Sequence, residues 1–263
     1  MEIRAKKSLG QNFLIDKNII KKIVHIANIT EKDHILEVGP GTGNLTQAIL
    51  EKNPNKIYVI EKDNKLAEVL KKKYENRIVI INEDILKFSE YLICDKKLIV
   101  FGNLPYNIST QILAKWIIKN HKTDWFKSLI LMFQKEVADR IVSKVNSKSY
   151  GRLSILSEWR LKIEKIMDVS PSCFLPRPKV QSTLLKFTPK NDYFIFDNPK
   201  NLEKITRIFF SQRRKKIKHS MKQLFKNPDK ISSKLKIDLN LRPQNLTPLD
   251  YFLITREYEN LLS

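Results

Sequence analysis

Ile35-Leu36-Glu37-Val38-Gly39-Pro40-Gly41-Thr42-Gly43 is an apolar run that stops in three glycines within five residues. The run has the length and composition of a buried strand, and the glycines let the backbone turn tightly and approach a ligand closely. Helical spacing resumes at Leu45–Lys52, so the unit reads as strand, turn, helix. Outward from it, strand-like runs at 56–60, 77–81, 97–101 and 128–133 alternate with helical patterns at Lys65–Tyr74 and Thr110–Asn120. Such alternation predicts an α/β fold, a parallel sheet with helices on both faces. Ahead of it, 16–28 reads as a helix with Ile19, Ile20, Ile23, Val24 and Ala27 on one face and Asp16 as N-cap. Beyond it, Ser154–Trp159 and Ser182–Phe187 read as two further strands, separated by the Pro-rich loop Ser170–Lys179. After Pro189 strand signals stop. Leu202–Phe225 has helical spacing that slips around Ser211–Lys216, which predicts two helices with a break. The expected organisation is an α/β domain over 1–189 and a small all-helical domain over 190–263.

Composition narrows the partner. The 263 residues are enough for a substantial core, and 42% of them are hydrophobic, which excludes a disordered chain. The net charge is +21, from 49 basic and 28 acidic residues, and points to a polyanionic partner. The excess is uneven: Arg207 to Lys236 holds eleven Lys or Arg and one acid, Asp229. Arg213, Arg214, Lys215, Lys216, Lys218 and Lys222 are the candidate phosphate contacts in that run. Cys94 and Cys173 have no metal-ligand or disulfide spacing, and the four histidines form no pairing. No metal site is expected. The N-terminus lacks a signal-peptide core, and no window reaches the ~18 apolar residues of a membrane span. A cytoplasmic, membrane-free protein is the expectation, and nothing argues for an obligate dimer.

The glycine loop becomes specific through the acids around it. Its spacing is Gly-x-Gly-x-Gly, not the Gly-x-Gly-x-x-Gly of dinucleotide sites, and a plain tight connection would use the same residues. Glu37, two residues before the first glycine, would sit at the mouth of the site, where it repels a phosphate and attracts a cation. Glu61 ends the next strand and is placed for ribose hydroxyls. Asp84 follows the third strand and could accept from an adenine amino group, with Ile85 against the ring. Three strand-end acids around Gly39 describe a nucleoside site without a pyrophosphate. S-adenosylmethionine, with adenine, free ribose diol and sulfonium, fits; NAD fits less well, and no Walker Gly-Lys-Ser/Thr for ATP is present.

Leu98-Ile99-Val100-Phe101-Gly102 leads into Asn103-Leu104-Pro105-Tyr106, an amide, a proline and an aromatic at a strand end. Alone it could be a plain strand-to-turn exit; downstream of the glycine loop it reads as a catalytic corner for a planar amine. The Asn103 side-chain oxygen and the Leu104 carbonyl would hold its two hydrogens, and Pro105 fixes the backbone and brings no competing N–H. Tyr106 would stack on the base, a contact worth ~1–3 kcal/mol. The donor methyl is already activated, so alignment would supply most of the rate. Phe174, in the stiff basic loop 170–179, is the candidate second wall around a flipped base, or else a hydrophobic anchor of that loop.

These stretches together resemble the ribosomal RNA adenine dimethyltransferase family. The likeness runs through Leu9–Leu14, Glu37–Gly43, Asn103–Tyr106, Phe133–Ala138, Phe174–Val180, Phe209–Lys215 and Arg242–Leu249. It implies a seven-stranded, Rossmann-like methyltransferase sheet with a small helical C-terminal domain. The family assigns the donor site to Asn12, Leu14, Gly39, Glu61, Asp84 and Asn103; periodicity reaches the last four but not Asn12 or Leu14, and makes Phe13 a hydrophobic staple. The implied reaction is N6,N6-dimethylation of two adjacent adenosines near the 3′ end of 16S rRNA, in an immature small subunit. Gln111 and Ser172 stand where the family commonly has proline. Other readings remain open at this point: an assembly factor that acts by docking, a large-subunit RNA methyltransferase, and a DNA adenine methyltransferase.

Overall fold

The computed structural model describes residues 5–6, 9–118 and 125–262. Those residues form two compact units, one drawn from the stretches Met1–Lys115, Lys122–Ala138 and Ile163–Pro189, the other from Trp116–His121, Asp139–Lys162 and Lys190–Ser263.

The first unit carries the sheet. β1 (Phe13–Leu14) precedes α1 (Lys17–Ile26), whose N-cap Asp16 accepts from the amides of Asn18 and Ile19, as expected for a short carboxylate at a helix start. Then follow β2 (His34–Val38), α2 (Asn44–Leu50), β3 (Lys56–Ile60), α3 (Asn64–Tyr74), β4 (Val79–Ile81), β5 (Leu98–Asn103), α4 (Ser109–Ile118), β6 (Phe126–Gln134) and α5 (Lys135–Ile141). The last residues expected in α4, 119 and 120, lie outside the described residues. After α6 (Arg152–Arg160) come β7 (Leu161–Val169), β8 (Phe174–Leu175) and β9 (Ser182–Pro189).

The sheet has seven strands in the order β4-β3-β2-β5-β6-β9-β7; β4 through β6 are parallel and β9 runs antiparallel to β6. Ile35, Leu36, Val59, Ile99, Val100, Phe101 and Leu129 are fully buried. Covering both faces is what makes these strands read as continuous apolar runs rather than alternations. The chain winds outward from β2 to β3 and β4, then returns to place β5 on the other side of β2. That reversal is a topological switch point, where open α/β sheets leave a crevice beyond the strand ends. Register aligns the ends: Val38 pairs with Ile60 on one side and Gly102 on the other, so Gly39, Glu61 and Asn103 emerge side by side.

Two expectations change. The segment expected as a strand over 154–159 is α6, and the seventh strand is β7. Ile155-Leu156 is too short an apolar run to separate strand from helix; Ser154 and Ser157 are both buried, and the Ser154 hydroxyl donates to the Arg140 carbonyl at 2.6 Å. Ile155, Leu156 and Trp159 follow helical spacing. The second change concerns the border at 189. Lys190 onward does group apart from the sheet, but 139–162 groups with it, although it precedes two strands of the sheet. A boundary drawn once along the chain cannot represent a unit assembled from separate stretches.

In the second unit, α7 (Lys200–Ser211) and α8 (Ile217–Leu224) flank the expected break, and α9 (Pro228–Leu235) and α10 (Pro248–Glu259) complete it. Leu202, Ile205, Phe209, Ile217, Met221, Tyr251 and Ile254 are fully buried. The Tyr251 ring lies edge-on to Phe209 and stacked on Phe210, and its hydroxyl donates to the Pro243 carbonyl at 2.8 Å. Glu259 accepts from the amides of Asp197 and Asn198 and from the Asn201 side chain, tying the end of α10 to the start of α7. Among the described residues no helix is long and apolar enough to cross a membrane.

Candidate active site

The crevice at the switch point is lined by Leu9–Leu14, by Glu37–Thr42, by Glu61 and Lys62, by Glu83–Ile85 and by Asn103–Ile108. Asn12, Leu14, Gly39, Glu61, Asp84, Asn103, Leu104, Pro105 and Tyr106 all fall on it; Phe174 does not.

The corner after β5 is built by one close approach. A side chain at Gly102 would meet the Leu104 Cδ2 at 2.7 Å, so only glycine lets Leu104 fold back onto its own strand. Leu104 is thereby 1% exposed, a burial worth about 2 kcal/mol that anchors the residue whose carbonyl follows. The Asn103 amide nitrogen donates to the Asn12 carbonyl at 2.7 Å, which leaves its oxygen as the acceptor still available. The Pro105 carbonyl accepts from the amides of Ile108 and Ser109 and so starts α4. The Tyr106 hydroxyl is hydrogen-bonded to the hydroxyl of Ser182, a fully buried residue of β9. Ser182 was not anticipated; nothing in a Pro-rich lead-in to a strand marks it.

The N-terminal segment explains the roles of Asn12 and Leu14. Phe13 pairs with Leu175, and Leu14 with Phe174, in a two-stranded ribbon with β8. The Phe13 ring lies against the glycine loop: a Cβ on Gly41, whose φ is 58°, would stand 2.6 Å from it. Phe13 is therefore a wall of the loop, not the staple of α1. The Leu14 carbonyl accepts from Asn44 at 2.9 Å, fixing the segment to the start of α2. Farther back, Lys6 and Gln11 both donate to Asp63, the N-cap of α3.

The three acids differ. Glu37 lies at the floor of the crevice rather than its mouth, 2% exposed, and accepts from the Thr46 hydroxyl at 2.6 Å. Burial, partly offset by that hydrogen bond and reinforced by the charge of Glu61, pushes its carboxyl up to about 7. Glu61 is also buried and accepts from the amides of Gly41 at 3.3 Å and Asp63 at 2.8 Å; burial raises it despite them. Asp84 is half-exposed and lowered, first by its 2.8 Å bond from Lys62. Lys62 is a cleft residue that sequence reasoning missed; its position directly after Glu61, facing the next strand end, was the available signal.

Phe174 corrects an expectation. It is 2% exposed, packed with Leu14, Ile20 and Cys173, and serves as the anchor of its loop. A base would meet it only after that loop moved. Arg213 is a second correction: it is half-buried and donates to the carbonyls of Ser147 and Lys148, so it braces the helical unit. Arg214, Lys215, Lys216, Lys218 and Lys222 are exposed, Lys216 bonding Asn240 and Lys218 pairing with Asp229.

The crevice brings the glycine loop, the carboxylates of Glu37, Glu61 and Asp84 and the Asn103 corner together beyond the strand ends. Fold and site define an S-adenosylmethionine-dependent methyltransferase. The model of the ribosomal RNA adenine dimethylase family matches residues 2–260, and the chain belongs to that family. It is 60% identical over 261 residues to a ribosomal RNA small subunit methyltransferase A of Pelagibacter ubique, covering 99% of each chain. It is 42% identical over 254 residues to the protein of that name in Francisella tularensis subsp. novicida, covering 94% of this chain and 95% of the relative. The crystal structure of a dimethyladenosine transferase from Plasmodium falciparum superposes with a TM-score of 0.81 at 28% identity, covering 94% of this chain and 98% of that one. The 23S rRNA methyltransferase ErmE shares the fold, with a TM-score of 0.69 at 20% identity over 94% of this chain and 100% of that one.

Proposed function

We propose that the chain dimethylates N6 of two adjacent adenosines near the 3′ end of 16S rRNA, in an immature small ribosomal subunit, as a cytoplasmic monomer. The observation that carries this reading is the Asn103 corner, where one amide is held by Asn12 with its oxygen left to accept. The bound donor supplies an electrophilic methyl on a sulfonium, which needs no metal to activate it. Asn12, Leu14, Gly39, Glu61, Asp84 and Asn103 hold the donor; Glu61 still has lone pairs for a ribose diol beyond its amide partners. The Asn103 oxygen and the Leu104 carbonyl accept the amine hydrogens, which turns the nitrogen lone pair toward the methyl. Tyr106, its hydroxyl tied to Ser182, stacks on the base. The exposed cations from Arg214 to Lys222 take RNA phosphates.

The names of the relatives favour small-subunit RNA, and the family favours an adenine as acceptor. A test supplies labelled S-adenosylmethionine with immature small subunits, total RNA or duplex DNA, then identifies the labelled nucleoside. Dimethyladenosine in 16S RNA is expected. Label on DNA or large-subunit RNA, or monomethyladenosine alone, overturns the proposal.

A further inference from the structure

Lys115 of α4 is nearly buried, with its side chain 10% exposed. Its ammonium donates to three oxygens: the carbonyl of Ile85 at 2.5 Å, the carbonyl of Phe88 at 2.5 Å, and Glu90 Oε1 at 2.6 Å. An ammonium has three protons, so these bonds commit all of them. Two of the acceptors are main-chain atoms of the segment that directly follows Asp84, and the third is a side chain that is fully buried.

That segment is closed at both ends. At its start the Asp84 carbonyl accepts from the amides of Lys87 and Phe88, and its carboxylate from the amide of Leu86. At its far end Lys115 gathers Ile85, Phe88 and Glu90 onto α4. The other end of α4 is the Pro105 carbonyl, next to Asn103 and Leu104. One helix thus starts at the catalytic corner and, two turns on, grips the loop that presents Asp84 and Ile85 to the crevice. A buried lysine–glutamate pair is a poor way to gain stability alone, because desolvation offsets the attraction. Aiming two of the three bonds at carbonyls fixes the position of a backbone instead.

We infer that Lys115 is a positioning residue for the donor's adenine: it sets the 85–90 loop so that Asp84 meets the exocyclic amine and Ile85 the ring. This rests on the reading that Asp84 and Ile85 receive the adenine. The test compares binding of S-adenosylhomocysteine with S-inosylhomocysteine, which lacks the amino group, by calorimetry on the full chain. Lys115→Met should weaken the adenosyl ligand about tenfold and bring it close to the inosyl ligand, the scale of one misplaced charged hydrogen bond. The donor KM should rise with kcat at saturating donor changed less. Lys115→Met/Glu90→Gln, which leaves no unpaired carboxylate in the core, should keep the binding defect while regaining thermal stability. An unchanged adenosyl preference in that folded double variant, or an equal loss for both ligands, overturns the inference. Asp84→Ala, which leaves no acceptor at that position, separates the two levels. If it keeps the adenosyl preference, the reading of the adenine site fails; if it loses the preference while Lys115→Met retains it, only the role of Lys115 fails.

Discussion

The polar groups of the sheet unit and those of the helical unit are organised in opposite ways. Around the crevice they converge and satisfy one another: Asn103 on Asn12, Glu61 on Gly41 and Asp63, Asp84 on Lys62, Tyr106 on Ser182. On α8 and the turn before it, Arg214, Lys215, Lys218 and Lys222 point into solvent, and the lone acid nearby pairs with Lys218. The first pattern fixes atoms to a fraction of an ångström, which in-line transfer requires. The second provides a field, whose value depends on charge count and salt far more than on any single geometry. Substitutions in the two regions should therefore fail differently.

The largest effect should come from Asn103→Ala. It removes an acceptor used as the amine is aligned, so kcat should fall by about 100-fold or more. RNA affinity should hold; full activity in a single-turnover assay at saturating donor would remove Asn103 from the chemistry.

Glu37 should give an intermediate effect that depends on pH. Its folded value of about 7 lies above the ordinary 4.5, so the folded protein holds a proton that the unfolded chain has released. Without donor, Glu37 should therefore cost stability as pH rises between those values, and Glu37→Gln should flatten that slope in urea titrations. A cationic donor favours the carboxylate, so its affinity should rise about tenfold from pH ~6 to ~8 with proton uptake by buffer. Calorimetry in buffers of different ionisation heat measures that proton. An equal pH dependence in Glu37→Gln would place the titration elsewhere.

The smallest effects, residue for residue, belong to the basic face. Replacing Arg214, Lys215 and Lys222 by alanine should leave kcat at saturating RNA unchanged and lower the slope of log affinity against log salt by roughly 0.7 per lost phosphate contact. Arg213→Ala should behave as a packing defect, lowering unfolding stability by about 1–2 kcal/mol with little change in that slope. If Arg213 shifts the slope as much as its neighbours, the division drawn here between brace and field breaks down.

Strand ends, glycine turn and Glu61 were legible because each follows from short-range chemistry: an apolar run, a residue without a Cβ, a carboxylate one step past the strand. The break between α7 and α8 was legible for the same reason. The 154–159 segment misled because so short an apolar run fits either element, and the buried Ser154 hydroxyl reads like a surface one until its distant acceptor, the Arg140 carbonyl, is known. Phe174 was open to two roles because an aromatic between prolines is equally suited to an anchor and a platform. Resemblance supplied Asn12 and Leu14, but what holds them is distant in sequence: the Asn103 side chain on the Asn12 carbonyl, and the antiparallel pairing of Leu14 with Phe174.

By itself the sequence determined the order of strands and helices through β6, the crevice at the switch point, the acids around Gly39 and the charge of the helical region. Only the tertiary structure decided how the polar atoms around the crevice and on the helical unit are committed. It turned the Asn103 oxygen outward by occupying its nitrogen, sank Glu37 to the floor, spent Arg213 on two carbonyls, and let Lys115 hold the loop after Asp84. The physical reason is common to all four: side-chain periodicity encodes which face is buried, whereas the partner of a buried polar group is set by where distant segments of backbone end.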